Sequence, residues 1–88
     1  MNDVIKWENI SFIISSQYRK DVLRNLDKPK TPTQLSKELN INKTHISKTL
    51  KELESKNVVK CLTPNSNKGR LYIISNYGKE TLREVLKL

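Results

Sequence analysis

Apolar positions recur at helical spacing through most of this chain and crowd into β-rich runs near residues 58–63 and 70–75. Residues 1–14 hold Val4, Ile5, Trp7, Ile10, Phe12, Ile13 and Ile14, a pattern that predicts a short helix over 7–13, with a strand as the alternative. Ser15 or Ser16 can cap a second helix reaching about residue 26, with Tyr18, Val22, Leu23 and Leu26 as its apolar stripe. Asp27-Lys28-Pro29-Lys30 ends it, because proline disfavours the helical conformation in the residue before it.

Thr31 opens the next helix with several agreeing signals. Thr31 and Gln34 match a capping box, and Pro32 stands at the first helical position, where its missing N–H costs nothing. Leu35 and Leu39 mark the buried side, Asn40 suits a left-handed turn, and Ile41 can plug the corner. Asn42 is a good cap for a helix over 43–56, in which Ile46, Leu50 and Leu53 follow i, i+4, i+7 and face the core. Thr44, Lys48, Lys51 and Ser55 then fall on the opposite face, with His45 and Ser47 on its flanks. Asn57 can terminate this helix. The runs 58–63 and 70–75 are β-rich, and Pro64-Asn65-Ser66-Asn67-Lys68-Gly69 between them has hairpin-turn chemistry. Ser75 can cap a last helix over 76–88, with Leu82, Val85 and Leu86 on one side.

This order predicts an α+β, mostly α architecture: a three-helix core, a two-stranded β-wing and a C-terminal helix, a winged helix-turn-helix. Its expected parts are an N-terminal apolar segment (1–14), a helix-turn-helix (31–56), a wing (58–75) and a C-terminal helix (76–88), all in one domain of 88 residues. A chain of that length buries only about two-thirds of its unfolded surface, enough for one modest core. No apolar run approaches the roughly 18 residues of a membrane span. No small-residue cleavage site follows Ile13-Ile14, and the single Cys61 has no partner for a disulfide, so a cytoplasmic location is expected.

Charge sharpens the reading. The net charge is +8, and residues 30–70 hold nine Lys/Arg against three Glu, so six of those eight charges sit on the helix-turn-helix and hairpin. That concentration is what phosphate binding requires. Catalytic and metal chemistry find no support. His45 is the one histidine, Cys61 the one cysteine, and the two glycines, Gly69 and Gly78, suit turn and helix-start roles rather than a phosphate loop. No enzyme activity, cofactor, metal or small-molecule ligand is expected. Cys61 reads as a small buried hydrophobe, and Trp7, Phe12, Tyr18, Tyr72 and Tyr77 as core or dimer-contact residues.

The pieces ISFIISSQYRKDVLRNL, LSKELNINKTHISKTLKELESKNVV and GRLYIISNYGKETL make the chain similar to the small winged helix-turn-helix transcriptional regulators of archaea and bacteria, of the MarR/ArsR-like type. The resemblance covers about residues 10–86. It implies the fold, and double-stranded DNA as the partner. Metal-sensing relatives place Cys and His clusters on helices, which one Cys and one His cannot reproduce. Many relatives carry longer terminal helices for dimerisation and ligand binding than those read here.

On this reading the helix over 43–56 enters the major groove, where Thr44, His45, Ser47 and Lys48 reach base edges or phosphates, flanked by Asn42, Lys43 and Lys51. The wing tip, 64–70, lies on the backbone or in the minor groove, with Asn67, Lys68 and Arg70 as contacts. The helix terminus at Thr31 and Thr33 can hold a phosphate. Ile5, Trp7, Ile10, Leu82, Val85 and Leu86 exceed what a small monomer needs to bury and are expected at a homodimer contact. The competing readings are a protein-interaction module and a non-specific architectural nucleic-acid binder.

Thr44→Ala or Lys48→Ala is expected to relax base preference by roughly 1–3 kcal/mol at one position per half-site. Lys68→Ala is expected to weaken binding to all duplexes alike and to flatten the salt slope by about one unit. Comparing the duplexes selected by each variant checks this, and an unchanged preferred sequence removes that helix residue from base readout.

Overall fold

Capping and turn residues divide the chain largely where the sequence pattern places the breaks. The computed structural model describes residues 6–66 and 69–88; Ile5, Asn67 and Lys68 lie outside the described residues. The N-terminal segment is helical, α1 (Trp7–Ile14). Ser16 caps α2 (Gln17–Arg24) by accepting from the Arg19 N–H. The stretch after Arg24 was expected to remain helical to about residue 26. Instead Asn25 donates to both Asp21 and Val22, and Leu26 turns back to the Leu23 carbonyl, closing the helix early while still burying Leu26.

In α3 (Pro32–Leu39) both halves of the capping box form: the Thr31 hydroxyl accepts from the Gln34 N–H, and the Gln34 side chain accepts from the Thr31 N–H at 2.8 Å. Asn40 adopts the left-handed conformation (φ 54°), and Ile41 is buried in the corner that follows. Asn42 caps α4 (Lys43–Ser55) through a 2.8 Å bond from the Thr44 N–H. Lys56, expected inside this helix, is its C-cap, and Asn57 (φ 62°) reverses the chain into the wing.

The wing strands, β1 (Val59–Cys61) and β2 (Tyr72–Ile74), are antiparallel with Val59 opposite Ile74 and Cys61 opposite Tyr72. They are shorter than the β-rich runs because the ladder ends just beyond Leu62. There the Thr63 hydroxyl, not a strand carbonyl, accepts from the Leu71 N–H. Lys30 adds a single antiparallel bridge to Tyr72, with both backbone bonds made at 2.9–3.0 Å. The last helix is α5 (Asn76–Leu86), capped by Ser75; Lys87 and Leu88 fall beyond it.

One hydrophobic cluster joins these elements. Ile46, Leu50 and Leu53 of α4 meet Val22, Leu23 and Leu26 from α2 and its end, Leu35 of α3, and Val58, Val59 and Ile74 of the wing. Two residues expected at a dimer contact belong to this core instead: Ile10 is 7% exposed and Val85 2%. The reason is that α1 and α5 pack on each other as well as on α2. Each must turn one apolar stripe inward, and Ile10 with Ile13, and Val85 with Thr81, form those stripes. Tyr77 secures the same contact, its hydroxyl accepting from Asn9 Nδ2 at 2.6 Å. Tyr18 departs in the other direction: it is 44% exposed. Cys61 is half-buried and free.

At Gly78 the backbone of α5 runs so close to the Val58 carbonyl that a Cβ would collide with that oxygen and crowd Ile74. Both opposing atoms belong to tightly packed structure, so the strain cannot be relieved by moving a flexible side chain. Gly78→Ala is expected to destabilise the fold by about 1–3 kcal/mol, measured as a lower denaturant midpoint at unchanged m-value.

Candidate nucleic-acid interface

Burial of Ile46, Thr49, Leu50 and Leu53 leaves three strips on the outside of α4. At about 100° per residue, Thr44 and Lys48 crest the helix, Lys43, Ser47 and Lys51 turn toward α3 and the wing, and His45 and Glu52 turn toward α2. The strip toward the wing lines a groove of about 650 Å³. Its other walls are Thr31, Pro32 and Thr33 from the start of α3, and Gly69, Arg70 and Tyr72 from the wing.

Six of the residues singled out by sequence therefore meet in one place: Thr31, Thr33, Lys43, Ser47, Lys51 and Arg70. Lys43, Lys51 and Arg70 make it cationic, and no carboxylate is among the described residues that line it. The N-terminus of α3 adds the positive end of a helix dipole. Pro32 has no N–H, and the Gln34 N–H is taken by Thr31, so the Thr33 N–H is the first donor left to serve an anion. Arg70 donates through Nε to the Ser66 carbonyl at 2.8 Å, which steadies the guanidinium at the groove's edge and leaves its terminal nitrogens for another acceptor.

Thr44 and Lys48 are exposed and lie outside the groove, on the crest of α4. Asn42 is exposed, with its side-chain oxygen committed to the cap. His45 lies on the far strip, against Tyr18 of α2. Asn67 and Lys68 are outside the described residues. Sequence reasoning missed the contributions of Gly69 and Tyr72 to the groove. Gly69 has φ +63°, the left-handed turn that its residue type permits. Tyr72 is brought in by the bridge to Lys30, for which a single lysine between prolines carries no strand signal. Among the described residues no group of three or more His, Cys, Asp or Glu can hold a metal ion.

Thr31 caps α3 through its hydroxyl and also lines the groove. Thr31→Ala is expected to cost about 0.5–2 kcal/mol of stability, read as a lower melting temperature.

No protein-family model matches the chain, and no curated protein does. Solved structures match strongly. Wild-type MarR from E. coli in its apo form aligns with a TM-score of 0.77 at 24% identity, over 92% of this chain and 62% of that one. A cysteine-to-serine mutant of E. coli MarR complexed with operator DNA aligns with a TM-score of 0.74 at 25% identity, over 92% and 60%. A transcriptional regulator from Thermotoga maritima gives 0.73 at 20% identity, over 91% and 58%. The chain thus spans less than two-thirds of each of these proteins. Helix order, antiparallel wing and superposition together give this chain the winged helix-turn-helix fold of the MarR-type transcriptional regulators.

Proposed function

We propose that this protein binds double-stranded DNA as a sequence-specific transcriptional regulator. The observation that carries the reading is the cationic groove between α3, α4 and the wing, set beside the exposed crest of α4. A groove holding Lys43, Lys51 and Arg70 with a helix N-terminus suits a phosphate of the DNA backbone. The crest, with Thr44 and Lys48, then enters the major groove, where lysine can donate to guanine O6/N7 and the threonine methyl can pack on a thymine methyl. The wing follows the neighbouring backbone or minor groove. The activity is recognition, with no chemical step. The likeness to a MarR structure complexed with operator DNA supports the same reading.

The functional unit is a homodimer. With Ile10 and Val85 in the core, its contacts fall to the apolar residues left outside: Trp7 (66% exposed) and Ile14 on α1, and Leu86 (53%) and Leu88 at the end of the chain, with half-buried Leu82 beside them. Two-fold pairing sets two recognition helices about 34 Å apart on one side of the duplex. No helix among the described residues is long and apolar enough to cross a membrane, and a cytoplasmic site of action fits the proposed partner.

Selection of duplexes from a random library at about 150 mM salt, where purely electrostatic binding is weakened, tests the reading. Enrichment of a palindrome with half-sites one helical turn apart is expected. Binding without enrichment indicates an architectural role, and recovery of no DNA indicates a protein-interaction module. Arg70→Ala is expected to weaken binding to every duplex alike and to lower the slope of log K against log salt by about one.

A further inference from the structure

The contact between α2 and α4 has two features that neither the core nor the groove explains. Tyr18, second residue of α2, is substantially exposed, yet its ring lies 5.5 Å from the imidazole of His45, centroid to centroid, with the planes tilted by 56°. That spacing is within the range of a favourable aromatic pair. The next residue, Arg19, donates to Glu52 at 3.2 Å. His45 and Glu52 are seven residues apart, so they lie on one strip of α4, two turns from each other. Arg19 is itself held from behind: it lies 3.8 Å over the Phe12 ring and donates to the Phe12 carbonyl at 2.9 Å and the Ser15 hydroxyl at 2.8 Å. Adjacent residues of α2 therefore grip α4 at both ends of one strip.

We propose that Tyr18 is a positioning residue for sequence recognition: its ring holds the His45 imidazole in one orientation at the edge of the DNA-facing surface, so that a ring N–H of His45 donates to a base acceptor in the major groove. This inference rests on the DNA-binding reading and adds a determinant from outside the helix-turn-helix. The tilted contact occupies the imidazole from the α2 side only, and neither ring nitrogen has a partner among the described residues. His45 stands in the first turn of α4, the part of a recognition helix that reaches base edges. An exposed histidine on its own loses rotamer freedom when it binds; one already packed against a neighbouring ring loses less. The Arg19–Glu52 pair complements this by resisting rotation of α4 about its axis, which would swing His45 out of register.

The test compares wild type with Tyr18→Phe, Tyr18→Leu, Tyr18→Ala, His45→Ala and the Tyr18→Ala/His45→Ala double variant, using selected duplexes and the NMR resonances of the His45 ring in the free protein. Tyr18→Ala and His45→Ala are expected to flatten base preference at the same position of each half-site, by about three- to tenfold. The double variant is expected to be no worse than either single one. Tyr18→Phe keeps the ring and is expected to retain the preference, whereas Tyr18→Leu keeps apolar bulk and is expected to lose it. Each variant is expected to unfold in one cooperative transition above the temperature of the binding assay, so that a lost preference is not a lost fold. The His45 ring resonances are expected to move on Tyr18→Leu and not on Tyr18→Phe. Unchanged preference in Tyr18→Ala and Tyr18→Leu, effects at different positions, or full additivity overturns this inference alone. A wild type that enriches no sequence overturns both this inference and the reading beneath it, and the His45 resonances then report only whether the rings meet.

Discussion

Everything outside α4 depends on which of its sides is buried. Ile46, Leu50 and Leu53 are almost wholly removed from water, and each side chain of that kind is worth roughly 1.5–3 kcal/mol relative to exposure. Turning the helix by one residue would drive Ser47 or Lys51 into a core with no partner for either and would bring apolar side chains out. Burying an unpaired ammonium is far costlier than losing one contact. The orientation of the polar strip is therefore set by exclusion: Thr44, Lys48 and Lys51 face outward because the other side is already taken.

The wing's position follows from a second constraint, a junction of backbone groups at Val58. Asn57 reverses the chain in a left-handed conformation, and its carbonyl accepts from the Ser75 hydroxyl at 2.6 Å. The Val58 carbonyl accepts from the Ser75 N–H, and Ser75 in turn accepts from the Gly78 N–H. The end of α4, the return of the wing and the start of α5 are thereby tied at one point. The bridge between Lys30 and Tyr72 ties the other side, bringing the start of α3 against the wing. The groove is what remains between these two fastenings. Thr31 and Arg70 both line it although they stand thirty-nine positions apart in the chain.

The paired contacts from α2 and the core packing of α1 against α5 carry the same logic outward. Arg19 touches Phe12, Ser15 and Glu52, so α1, α2 and α4 share one side chain as a common point. A helix at the edge of the molecule is thus linked to the one proposed to read DNA through contacts that are short, polar and directional. That arrangement gives α4 a single defined orientation, which reading a base edge demands and which bulk hydrophobic burial alone would leave looser.

The local elements were legible in the sequence because their causes are local. The capping box of Thr31 and Gln34, the left-handed Asn40, the terminator Asn57, the caps at Asn42 and Ser75, and the i, i+4, i+7 stripe of Ile46, Leu50 and Leu53 each need only neighbouring residues to act. The polar, basic character of the α4 face follows from the same stripe. What the sequence could not decide was everything that depends on residues distant in the chain. Spacing puts Tyr18 on an apolar stripe and leaves Ile10 and Val85 for a partner subunit, but periodicity says only which residues share a helix face. Which faces then meet is a matter of packing. The tertiary structure sends Ile10 and Val85 inward because α1 and α5 cover each other, leaves Tyr18 at the edge beside His45, and gathers Thr31, Lys51 and Arg70 into one groove because a single backbone bridge closes it.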